Sequence, residues 1–99
     1  MEYLFRLYPD LRESWQEFNH PRKEFCDMPE TQLVIDENSN DGNIRTIRFT
    51  CTVQEATYIW EVKIIRDVHL WRSMGHRERF GRMVNPYSRQ QKIMVNQRQ

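Results

Sequence analysis

The sequence predicts a soluble α+β domain: an N-terminal helix, a three-stranded antiparallel meander, a second helix and a basic carboxyl-terminal tail. Two observations predict it. Three successive segments alternate apolar and polar residues with period two, and apolar residues recur at helical spacing on either side of them. The chain of 99 residues suits one domain, expected over residues 1–84, with 85–99 as a mobile polar and basic tail. Charged residues make up 29%, but three Trp, four Tyr and five Phe can anchor a core, which sets the chain apart from disordered sequences.

Residues 2–8 read as a short strand or extended arm, because Tyr3, Phe5 and Leu7 would share one face. Pro9 ends it. Asp10 stands where a helix N-cap belongs, with Glu13 three positions on, and Leu11, Trp15 and Phe18 form one apolar stripe. A helix over 11–19 follows, stopped by His20-Pro21 because the residue before proline leaves the α region. Residues 21–30 are a connector that Phe25 and Met28 tuck against the core. With Ala56 as the single alanine, any helix relies on packing rather than propensity.

The middle alternates most clearly. Leu33 and Ile35 share a face within 31–37. The turn signal Asn38-Ser39-Asn40-Asp41-Gly42-Asn43 follows. Ile47, Phe49, Cys51 and Val53 then point inward within 45–54, and Tyr58, Trp60, Val62 and Ile64 share a face within 57–65. Asp67 is placed to cap a second helix in which Val68 meets Trp71 and Leu70 meets Met74, with Gly75 as its terminator. Phe80, Met83 and Val84 suggest one more turn, and Ile93, Met94 and Val95 are the apolar cluster of the tail. Two helices would cover one face of the meander, burying Trp15, Phe18, Phe49, Trp60 and Trp71 for roughly 2–3 kcal/mol each.

The net charge of +1 hides an asymmetry. Residues 1–43 hold ten acids against four bases, and 44–99 hold eleven bases against four acids. Twelve of the fifteen bases are Arg, whose planar fork pairs with carboxylate or phosphate. The segment from Trp71 to Arg82 interleaves Arg with aromatics. Arg72, His76, Arg77, Arg79, Phe80 and Arg82, extended by Tyr87, Arg89 and Lys92, are therefore the candidate contact residues. Arg45, Arg48, Lys63 and Arg66 would lend the sheet's solvent face a positive cast.

Other signatures fit less well. Asp36, Asn38 and Asn40 match the first ligand positions of a calcium loop, but Asp41 and Ile47 occupy the places that need Gly and Glu. Cys26 and Cys51 lie 25 apart, and with His20, His69 and His76 they make no local chelate, so no metal or cofactor is expected. The two cysteines read as reduced thiols, Cys51 packed as a small hydrophobe. Together with a start that does not read as a secretory signal, they suggest an intracellular protein of the cytoplasm or nucleus. No apolar run approaches the roughly 20 residues of a membrane helix.

The leading expectation is a non-enzymatic adaptor or regulatory protein that binds a protein partner, its Arg/aromatic segment contacting an anionic surface. The alternative is an RNA- or single-stranded-DNA-binding protein using the same segment and the sheet face. A small enzyme centred on a cysteine or histidine stands third, since no Gly-x-Ser-x-Gly elbow or Gly-rich phosphate loop is present. Homodimerisation through the sheet is the plain alternative to a foreign partner.

Overall fold

The computed structural model describes residues 1–27, 32–41, 43–53, 56–78, 81–84 and 89–95. The chain opens with two short helices, α1 (Glu2–Leu7) and α2 (Leu11–Glu17), and a 3-10 segment at Lys23–Asp27. Six strands follow: β1 (Gln32–Asp41), β2 (Ile44–Val53), β3 (Ala56–Ile65), β4 (Val68–Glu78), β5 (Met83–Val84) and β6 (Gln91–Met94). They form one antiparallel sheet in which β1 to β5 follow chain order. β6 also pairs with β4, at residues 68–71, while β5 pairs at 76–77. The three-stranded meander between two helices is thus replaced by a six-stranded sheet with both helices ahead of it.

The three predicted strands form, and β1 continues to Asp41, leaving the turn between Asp41 and Ile44. The predicted second helix does not form. Its residues make β4, in which His69, Trp71 and Ser73 turn to the core side opposite Ile64, Val62 and Trp60. A bulge then shifts the register, since Trp60 faces Ser73 but Ile59 faces Gly75. Gly75, expected to terminate a helix, sits at this bulge with φ 121°, where a Cβ would clash. Residues 91–95, expected within a mobile tail, supply β6 and bury Ile93 and Val95.

The N-terminal strand is corrected as well. Leu4 and Phe5 are adjacent and both buried, whereas Tyr3 is 56% and Leu7 50% exposed. Neighbouring positions share a buried side in a helix, not in a strand. α2 starts at Leu11 as predicted, but Asp10 makes no side-chain cap bond. Its other end is closed by Lys23, whose Nζ donates to the carbonyl of Phe18 at 2.7 Å and to that of Trp15, completing carbonyls that lack helical partners.

The helices and the 3-10 segment cover one sheet face. Trp15 lies 5.6 Å from Trp60 and 5.2 Å from Trp71, ring centre to ring centre, and Phe18 stacks on Trp71 at 5.6 Å. All five aromatics expected in the core are buried. Cys26 and Cys51 are joined by a disulfide that ties the 3-10 segment to β2, so the expected free thiols are not found. Ser14, fully buried, accepts from Trp71 Nε1 at 2.9 Å and lies 2.7 Å from His69 Nδ1, locking α2 to β4. Among the described residues no helix is long and apolar enough to cross a membrane.

Candidate functional site

The helices leave the second face of the sheet uncovered, and strand alternation decides what stands there. Asp36 of β1 pairs in register with Arg48 of β2, Arg48 with Glu61 of β3, and Glu61 with Arg72 of β4. This is a row of alternating charge across four adjacent strands. Lys63 lies two residues beyond Glu61 on the same side. Arg77, opposite Thr57, and Lys92, opposite Leu70, extend the positive part over β4 and β6.

Glu61 is the unusual member. Its side chain is only 1% exposed on a face that no helix covers. Burying a carboxylate costs several kcal/mol unless it is paired. The two flanking guanidinium groups pair it: Arg48 Nε donates to Oε2 at 3.0 Å and Arg72 Nε to Oε1 at 2.9 Å. Each arginine spends its Nε on Glu61, and the terminal Nη groups of both make no hydrogen bond among the described residues. An open cavity of about 340 Å³ lies over this row, lined by Asp36, Thr46, Arg48, Glu61, Lys63 and Arg72, among others.

The predicted contact residues divide between the two faces. Arg72 and Arg77 share the open face of β4, and Lys92 is exposed on β6. Arg82 is exposed just ahead of β5, and Arg89 is exposed before β6. His76 lies beyond the bulge and turns to the covered side, its ring 5.5 Å from that of Tyr58. Arg79, Phe80 and Tyr87 lie outside the described residues. Of the strand cations, Arg48 and Lys63 stand on the open face, but Arg45 does not. It pairs with Glu37 at 3.3 Å and lies over the Tyr8 ring. Tyr8 also donates to Glu37, and this bond to a carboxylate raises its pKa above the ordinary tyrosine value.

Sequence reasoning missed Glu61. Its outward position in β3 was legible, but its place between two arginines depends on the registers of two hairpins. A second, smaller cavity of about 140 Å³ opens beside Tyr8, Asp10, Arg45, Arg66 and His69. His69 is held below the ordinary histidine pKa by burial, with Asp10 and Asp67 opposing the shift. Among the described residues, no group of three or more His, Cys, Asp or Glu side chains gathers in a way that could hold a metal ion. No family model matches the chain, and neither a curated protein nor a solved structure matches it.

Proposed function

We propose that this chain is a non-enzymatic interaction protein that meets an acidic protein surface through the open face of β2, β3, β4 and β6. The observation that carries the reading is the register that sets Arg48, Lys63, Arg72, Arg77 and Lys92 on the face without helices. Only Asp36 and the doubly paired Glu61 oppose them on the described part of that face. Complementary charge of this kind steers encounter and sets specificity.

Acidic protein is favoured over RNA or single-stranded DNA by where the aromatics go. Unpaired bases need exposed rings to stack on. Strand alternation turns Trp71 into the core and Arg72 out of it, so the interleaved segment is split between two faces. Among the described residues, the open face carries Val34, Ile59 and Leu70 and no ring. An enzyme is disfavoured because Ser14, the hydroxyl paired with a histidine, is sealed from solvent, and both cysteines are spent in the disulfide. That disulfide removes one of the two grounds, unpaired thiols, on which the expectation of a cytoplasmic or nuclear location rested.

The test is fluorescence anisotropy with a labelled oligo-glutamate peptide and a labelled single-stranded RNA of equal charge. The peptide is expected to bind with an affinity that falls as salt rises. Replacing Arg77 and Lys92 together by Ser is expected to weaken it about fivefold or more, the effect of roughly 1 kcal/mol. RNA binding much tighter than the peptide, or peptide binding indifferent to the double substitution, would overturn the proposal.

A further inference from the structure

We infer that Arg48, Lys63 and Arg72 form a subsite for the phosphoryl group of a phosphorylated side chain on the partner, with Glu61 as the positioning residue beneath them. The inference rests on the open face being the docking surface and names the group it takes.

Each planar guanidinium fork can pair through its Nε side or through its two terminal nitrogens. Arg48 and Arg72 both bond Glu61 through Nε, one on each carboxylate oxygen. The buried carboxylate therefore holds both planes in place and leaves both terminal edges for something else. Arg48 and Arg72 flank β3 on its two neighbours, so at the usual strand spacing they stand roughly 10 Å apart. Lys63, on the same face of β3, lines the same cavity.

Three cationic groups from three strands thus border one cavity large enough for a tetrahedral oxyanion. A carboxylate offers two coplanar oxygens and a single negative charge. A phosphoryl group has three acceptor oxygens and about −1.5 to −2 charge, which suits two forks and an ammonium. Asp36 lines the β1 side of the cavity and biases the anion toward β3 and β4. Glu61 offsets part of this positive charge, but it engages each arginine through Nε and leaves the terminal nitrogens to the incoming anion.

The experiment is a nitrogen-15 NMR titration of the full chain with a Gly-phosphoserine-Gly peptide, a Gly-Glu-Gly peptide and inorganic phosphate at constant ionic strength. The phosphoserine peptide is expected to shift the amides of Arg48, Glu61 and Arg72 saturably, about tenfold more tightly than the glutamate peptide. Arg72→Lys keeps the charge and removes the fork, and is expected to erase that preference while the remaining spectrum stays folded. Glu61→Gln, by releasing the planes, is expected to narrow the preference without abolishing attraction to anions. Equal affinity for the two peptides, or shifts spread over Arg77, Arg82 and Lys92 alone, would overturn the inference. So would binding of inorganic phosphate with none of the phosphoserine peptide. If the phosphoserine preference is absent but oligo-glutamate still binds, the subsite falls and the docking face stands. If neither binds, the docking face itself falls.

Discussion

Trp60 and Glu61 are neighbours on β3 and both are essentially withdrawn from solvent, yet they are buried by opposite means. Trp60 faces the helices, packed edge-on against Trp15 and Phe18, with its Nε1 donating to Cys26 Sγ at 3.1 Å. Glu61 faces away from the helices and is paired with two arginines that remain partly exposed. One face is sealed by shape and apolar area, which ionic screening does not weaken. On the other, a buried carboxylate is held by two partly exposed guanidinium groups, an arrangement that salt screens. On the proposed reading, a single sheet separates the structural task from the binding task.

Removing a ring from the covered face should give the largest effect. Trp60→Ala is expected to cost about 3–5 kcal/mol, enough to abolish a cooperative denaturant transition in so small a domain. Opening the Cys26–Cys51 bond comes next. The double serine variant is expected to lose roughly 2–4 kcal/mol, read as a lower urea midpoint. Should either variant unfold like the parent, the covered face is not where the stability resides.

The open face should respond less. Glu61→Ala strands two guanidiniums, but both can turn to water, so the expected loss is about 1–2 kcal/mol, shrinking in high salt. A loss as large as that of Trp60→Ala would erase the distinction between the faces. The smallest effect concerns pH. Burial, assisted by Arg22, holds His20 below its ordinary pKa, and burial does the same for His69 against Asp10 and Asp67. Both then favour the neutral form in the native state more than in the unfolded chain. Their contribution is complete above the unfolded value of about 6.5 and is lost as pH falls through it toward the lower native values. The urea midpoint should therefore drop on acidification from about pH 7.5 to pH 5, and His69→Gln should flatten part of that slope. A midpoint that rises with acid would contradict the assignment.

These contrasts also explain what the sequence could reveal. The first three strands were legible because Ile47, Phe49 and Cys51, then Tyr58, Trp60 and Val62, put apolar residues on one side at every second position. β4 was not legible, because two of its inward residues are His69 and Ser73, polar side chains buried on the core side. The bulge before Gly75 then shifts the phase, so Val68, Trp71 and Met74 mimic helical spacing. The N-terminal segment misled in the opposite way: Tyr3, Phe5 and Leu7 alternate, but Leu4 is the fully buried residue. Charge asymmetry located the cations of β4 and β6, whereas Glu61 became visible only once strand registers placed it between Arg48 and Arg72. The disulfide had no local signature, since a spacing of 25 residues carries none.

The division of labour between the faces is tested most directly by mapping an oligo-glutamate peptide onto the chain by NMR. The account predicts that the amides of Arg48, Lys63, Arg72, Arg77 and Lys92 shift with the peptide while the indole N–H signals of Trp15, Trp60 and Trp71 stay in place. Shifts concentrated on α1 and α2, with the strand cations unmoved, would contradict it.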